Sequence, residues 1–316
     1  MKVRPLAKGI LTFVPGVRGA PPPGSGRAVT ALYGYGVWLK HLTLLWANGM
    51  CSMPDTLAEL GPGSSLCVGL AAMLCGVDTY YAMDVVRFSD TARNLLLLDE
   101  LVELLRNRTP RPDKGWLDFD AYLDDNLFPS HVLTDDLLDA TLSETRVAAI
   151  RAALQHQGVS SGGCTVTYAV PWSAREVIRP GTVDVVLSHS VLEHVTDLEA
   201  TYRALHTWLK PGAVMSHQID FSCHKFFGEW NGHWACSELQ WKLMVGKRPF
   251  LINRQPYSEH LRLIDQCGFK VVVARQHHRS TGVRRCDLST RWNCISDDDL
   301  ACSGAYVQAT RGERVA

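Results

Sequence analysis

The chain has 316 residues, enough for one large α/β domain with insertions or for two small domains, and with 46% apolar and 20% charged residues its composition excludes wholesale disorder. Its 32 Lys and Arg balance 32 Asp and Glu, so it has no electrostatic footprint for nucleic acid or for an anionic membrane. No apolar run is long enough to span a bilayer, and Pro15-Gly16 cut short the apolar piece behind the basic N-terminus, so neither a membrane span nor a signal peptide is expected.

Taken in order, residues 15–27 are rich in Pro and Gly and predict a loop or arm. Residues 28–48 predict a helix, because Tyr33, Val37, His41 and Leu44 recur at helical spacing. Trp38 and Trp46 widen its apolar face, and these aromatics serve either a core or a pocket wall. Residues 56–60 predict a short strand, Gly61-Pro62-Gly63 a turn, 64–74 a helix, and 79–83 a second strand ending at Asp84. That succession fits in about 30 residues, the length of a βαβ unit. Residues 89–156 are Leu-rich, acidic and mostly helical, too long for a simple crossover, and predict a helical insertion serving as a lid or a dimer surface. Strands are expected at 164–170 and 182–188, and a helix at 198–209. Lys210-Pro211-Gly212 signals a stop before a strand at 213–219. A loop at 222–234 is crowded with His, Trp and Phe, two helices are expected at 235–245 and 257–267, and two last strands at 269–274 and 305–310. The expected division is an N-terminal arm and helical cap over 1–53, followed by one domain over 54–316 that contains the insertion.

None of the ten cysteines shows Cys-x-x-Cys spacing, and several lie inside apolar runs, as free buried thiols do. Together with the missing export signal, this predicts a reduced, cytoplasmic protein. Cys286, Cys294 and Cys302 are evenly spaced but fit no zinc pattern, and no metal is expected.

The segment that carries chemistry is Glu59-Leu60-Gly61-Pro62-Gly63, with Asp84 downstream. Glycines between a strand and a helix let the backbone approach a ligand closely, since no Cβ intrudes. An acid about 20 residues on, at the tip of the second strand, can accept both ribose hydroxyls. This pattern describes an adenosine-containing ligand. Leu66 stands where a dinucleotide fold wants its third glycine. Glu59 would repel a pyrophosphate, yet it can receive the ammonium of a methionine moiety.

The sequence resembles the class I, Rossmann-like S-adenosylmethionine-dependent methyltransferases. Glu59-x-Gly61-x-Gly63 looks like their first motif, with Ser65 in place of the third glycine often found there, and Asp84 matches their ribose-binding acid. Residues 184–195, Asp-Val-Val-Leu-Ser-His-Ser-Val-Leu-Glu-His-Val, resemble their fourth strand and the helix after it. Leu209-Lys210-Pro211-Gly212-Ala213 resembles the turn before their fifth strand, with Ala213 for a second glycine. The resemblance implies a seven-stranded, mostly parallel sheet with an antiparallel last hairpin, and S-adenosyl-L-methionine as the cofactor. It also places Ser188 on the donor side and Trp172, after the third strand, against the adenine or else in the core.

Methyl transfer is an in-line displacement, so the protein aligns the partners, excludes water and, for an oxygen acceptor, removes a proton. Chemistry in α/β sheets sits at the carboxyl ends of the strands. That rule makes His189, Asp220 and His224 the candidate catalytic residues. His217 belongs to the site or the core according to its facing, and His194 reads as structural. The Asn- or Asp-Pro-Pro pattern of amide and amine methyltransferases is absent. The expected acceptor is therefore a small polar molecule such as a sugar, a glycan terminus or a natural-product intermediate, O-methylated in preference to N-methylated. Two other readings stand beside this one: an NAD-binding oxidoreductase, and a catalytically silent adenosine-binding scaffold.

Overall fold

In a computed structural model, residues 3–16, 30–112, 122–172, 177–248 and 251–312 are described. The arm expected over 15–27 lies outside them from residue 17 onward. Seven strands form one sheet in the order β3-β2-β1-β4-β5-β7-β6. They are β1 (Thr56–Leu60), β2 (Thr79–Met83), β3 (Thr165–Ala169), β4 (Val183–His189), β5 (Leu209–Asp220), β6 (Phe269–His278) and β7 (Cys302–Arg311). The first five are parallel, and β7 runs antiparallel between β5 and β6. This is the sheet the resemblance implied.

Side chains alternate across each strand, so each sheet face has its own core. On one face Leu57, Tyr80, Val166, Val185 and Leu187 pack with helices α2 (Ala31–Ala47), α3 (Cys67–Leu74), α4 (Thr91–Arg106) and α6 (Glu144–Gln155). On the other, Ala58, Val186, Met215 and Val307 pack with α7 (Leu198–Trp208) and α9 (Tyr257–Gln266). The order reverses between β1 and β4, and the carboxyl ends of the strands at such a reversal are the usual ligand position in sheets of this kind.

The helix expected at 28–48 is α2, which starts at Thr30, whose hydroxyl accepts from the Tyr33 N–H at 3.2 Å. Tyr35, Trp38, Leu39 and Leu42 are fully buried in the main core, so α2 is a layer of the domain rather than a separate cap. The segment expected as an insertion behaves similarly. Leu97, Leu98, Leu101 and Leu105 of α4 and Ile150 and Leu154 of α6 are core residues, with α5 (Asp135–Thr141) between these helices. The segment connects β2 to β3, with α4 packed on α2, α3 and α6 and with α6 packed on β3; residues 113–121 lie outside the described ones.

The helix α7 ends at Trp208, as Lys210-Pro211-Gly212 led one to expect, but β5 starts at Leu209 rather than at 213. The pairing with β4 jumps from Val183–Leu209 to Val185–Val214, so the three residues bulge out of β5 with Gly212 at φ +75°. Two helices had no counterpart in the sequence reading, the short one at Asp297–Ala301 and α1 (Val3–Leu11), which lies on α8 (Glu238–Val245) so closely that a Cβ on Gly9 would meet the Met244 carbonyl.

Candidate functional site

The turn after β1 is held from both sides. The Gly61 N–H donates to the Met83 carbonyl at 2.8 Å, and the Gly63 N–H donates to Oδ2 of Asp84 at 3.1 Å. Oδ1 of Asp84 accepts from the Val85 N–H at 2.7 Å. Both glycines have positive φ, +64° and +71°. A Cβ on Gly61 would stand 2.7 Å from Val191, in the loop after β4, whereas nothing lies within 4 Å of one on Gly63. The first glycine lets two loops touch, and the second leaves an open cradle over the turn. Asp84 is 5% exposed, and that burial raises its pKa while the backbone donors hold it down.

Glu59 is 4% exposed, and its Oε2 accepts from the Tyr80 hydroxyl at 2.5 Å. Gly69 of α3 makes this possible, because a Cβ there would sit inside the Tyr80 ring. Desolvation pushes the Glu59 carboxyl up to about 8, although Tyr80 pulls it down and the Asp84 charge adds a little. An acid whose folded pKa lies above its ordinary 4.5 contributes stability that is fully present below 4.5 and lost as pH rises toward 8. Wild type should therefore lose stability relative to Glu59→Gln across that window, by at most about 1.4 kcal/mol per pH unit. Urea unfolding of both proteins at pH 5 and pH 8 checks this; parallel pH dependences would show that the buried carboxyl is ionised throughout.

The first turn of α3 has no side-chain cap of its own. Asn94 of α4, 1% exposed, supplies one by accepting from the Leu66 N–H at 3.0 Å. Asn94 carries no local signal of this role, because its partner lies 28 residues away.

Of the other donor-side candidates, Trp172 is partly buried and meets Trp208 of α7 edge-on at 6.1 Å, while its N–H donates to the Asp84 carbonyl at 2.7 Å. Ser188 is fully buried, and its hydroxyl bonds Nδ1 of His217 at 2.8 Å. Its side chain therefore points into the sheet core, and only its backbone can face a ligand. His217 is likewise core, held neutral by burial with its pKa lowered to about 3.

His189 ends β4 beneath α2, edge-on to Tyr33 at 6.1 Å and to His41 at 5.9 Å. Burial, with the nearby Lys40 charge, lowers its pKa to about 3. It is a neutral ring and too weak a base to be matched to neutral pH. In an NMR titration its signals should stay those of a neutral imidazole down to pH 5; protonation near 6.5 would restore it as a proton acceptor. Tyr33, counted in the sequence only among helix-face aromatics, stands close enough to feel the charges of both Glu59 and Glu193.

Asp220 ends β5, and its carboxylate accepts from the Ser222 N–H at 2.8 Å and hydroxyl at 3.1 Å. Nε2 of His224 lies 3.4 Å from Asp220 Oδ2, and the His224 ring meets His194 at 5.0 Å. Thus Asp220 and His224 come together, and His189 stands apart from them on the α2 side. Glu193, quoted in the sequence only as part of a motif, joins this group through a short 3-10 turn at Leu192–His194. The rest of the aromatic loop is packed rather than open. Phe226, Phe227, Asn231, His233 and Trp234 are all buried, and the Arg254 guanidinium lies between the Trp241 and Trp292 rings at 4.6 and 5.6 Å. No helix of the described residues is long and apolar enough to cross a membrane.

Residues 130–216 match the family model of a methyltransferase domain. The match spans β3, β4 and α7 and reaches into β5; it begins beyond the glycine turn and Asp84. No curated protein matches the chain. Among solved structures it is similar to an S-adenosylmethionine-dependent methyltransferase from Methanosarcina mazei, at 12% identity over 85% of this chain and 97% of that one, with a TM-score of 0.44. Another from Mesorhizobium loti has 11% identity over 86% and 98%, with a TM-score of 0.40. A phosphoethanolamine N-methyltransferase from Haemonchus contortus, crystallised with S-adenosyl-L-methionine, has 13% identity over 89% of this chain and 57% of that one, at 0.42. A methyltransferase domain is thus matched over residues 130–216 alone, and the described residues add to it this sheet order around a glycine turn closed by a buried acid.

Proposed function

We propose that this chain is an S-adenosylmethionine-dependent methyltransferase of the class I, Rossmann-like type that methylates an oxygen of a small polar acceptor, such as a sugar, a glycan terminus or a natural-product intermediate. The observation that carries the reading is the Asp220–His224 pair, 3.4 Å apart at the carboxyl end of β5. A hydroxyl must lose a proton as it is methylated, whereas the sulfonium donor supplies an already activated methyl group. An imidazole oriented by a carboxylate is suited to take that proton.

On the donor side, the open face over Gly63 is the cradle, Asp84 is the ribose acceptor, and Glu59 receives the ammonium directly or through water. Trp172 borders the adenine with its exposed part, and Ser188 contributes main chain only. Tyr33 and His189 close the α2 side and exclude water, so His189 positions rather than titrates. The reading of α4 to α6 as part of the domain leaves a homodimer without a designated surface.

The test has two stages. Calorimetric titration with S-adenosylhomocysteine, with NADH as control ligand, should give saturable binding of the first alone; binding of NADH alone would overturn the reading. Transfer of label from methyl-labelled donor to a panel of polyols, sugars and amines should then mark hydroxyl compounds. Label found only on amines would overturn the oxygen acceptor.

A further inference from the structure

We propose that Glu193, His194 and His224 form a binding site for a divalent first-row transition-metal ion. One ligand atom from each lies within 4.8 Å of the others. The second, independent observation is the state of Glu193. Its residue is 3% exposed, neither carboxylate oxygen has a side-chain hydrogen-bond partner among the described residues, and only the backbone N–H groups of Glu193 and Asp220 approach it, too poorly aligned to satisfy it. A buried carboxyl with both oxygens unsatisfied costs folding free energy unless a ligand compensates it. It is grouped with two imidazoles, whose ring nitrogens are common ligands of a transition-metal cation.

The donor set names the ion class. Two imidazoles and one carboxylate suit zinc, cobalt, manganese or iron, whereas magnesium and calcium prefer oxygen ligands throughout. Donors about 2.1 Å from a common ion lie roughly 3–3.5 Å apart, so the group closes by about an ångström from its present spread. The charge also fits: Glu193 and the adjacent Asp220 would offset two positive charges. Asp220 stands by His224 as the carboxylate that commonly orients a metal-ligating histidine.

The surroundings hold the ligands in place. Asn253 donates its N–H to the Glu193 carbonyl at 2.6 Å, and its side-chain amide to the carbonyls of Leu192 and Val195 at 2.7 and 2.9 Å. These three bonds pin the 3-10 turn that carries Glu193 and His194. Val191, just before it, is the residue that touches Gly61, so the ion would sit beside the donor turn. A cation there would bind an acceptor hydroxyl and lower its pKa, and would do so in place of proton removal by His224, whose free nitrogen it would occupy; this role, unlike the site itself, rests on the proposed function.

The test is titration of the metal-free full-length protein with cobalt(II), followed by its visible d–d absorption. One equivalent per chain is expected to bind with visible bands. Glu193→Gln and His224→Ala should each weaken binding more than tenfold while keeping wild-type circular dichroism. His224 lies on a partly exposed loop, so its variant guards against loss of folding in the Glu193 one. Replacing the exposed Cys286 and Cys294 by serine should change nothing. Absence of stoichiometric cobalt in wild type, undiminished binding in both site variants, or loss of binding in the cysteine variant would each overturn the proposal. S-adenosylhomocysteine affinity measured on the same preparations separates the two readings: cobalt without S-adenosylhomocysteine upholds the ion site and sinks the donor reading, and the converse sinks the ion site alone.

Discussion

Gly61→Ala should destabilise the protein by about 2–4 kcal/mol and abolish measurable binding of S-adenosylhomocysteine. Two terms add. Gly61 sits at φ +64°, a conformation that costs an L-residue with a Cβ roughly 1–2 kcal/mol. The new methyl group would also stand 2.7 and 2.8 Å from the two methyls of Val191. Relief of that clash moves either the turn, which is tied to Met83 and Asp84, or the loop that carries Glu193 and His194. The two terms can be separated. Val191→Ala removes the steric partner and leaves the strain, so the double variant should be less destabilised than the sum of the single changes. Thermal and urea unfolding of the four proteins gives the cycle, with calorimetry for the ligand. Simple additivity would show that the two loops do not press on each other.

Asp84→Asn should leave the fold nearly intact and weaken S-adenosylhomocysteine binding by about 100-fold, near 3 kcal/mol. The carboxylate holds the Gly63 N–H with one oxygen and the Val85 N–H with the other. Asparagine keeps the shape but offers only one acceptor oxygen, and its amide would face one of those N–H groups. The turn then loses its brace while a ribose loses an ionised acceptor. Because burial has already raised the Asp84 pKa, the ionised form is favoured mainly by these backbone donors. Unchanged affinity in calorimetry would remove Asp84 from the donor site and leave it as a brace for the turn.

The strands that frame the turn were legible with little error. β1 and β2 begin and end where the sequence placed them, because each is a short apolar run bounded by turn residues, a signal contained in a few neighbouring positions. The Gly61-Pro62-Gly63 turn and Asp84 were legible for the same reason, since backbone conformation and a strand tip are local properties. The helix α1 was not. Its nine residues form one amphipathic face whose partner, α8, lies more than 200 residues away, and nothing near it in sequence announces that contact. The standing of α2, α4 and α6 as core layers was equally hidden: their periodicity showed an apolar face, but periodicity does not say what covers it.

The sequence by itself determined that residues 56–84 make a strand, a glycine turn, a helix and a strand closed by an acid, for which local sterics and side-chain alternation are sufficient. The antiparallel last pair was only what the resemblance implied, since strand direction is not a local property. Tertiary structure alone decided the chemistry at the rim. It placed His189 beneath α2, where desolvation keeps it neutral, and paired Ser188 with His217 inside the sheet. It gave Glu59 to Tyr80 through the space left by Gly69, and brought His224 to Glu193 and His194 across 30 intervening positions. Burial and proximity set whether a titratable side chain is charged and what it can hold, and both arise only when distant segments fold onto one crevice.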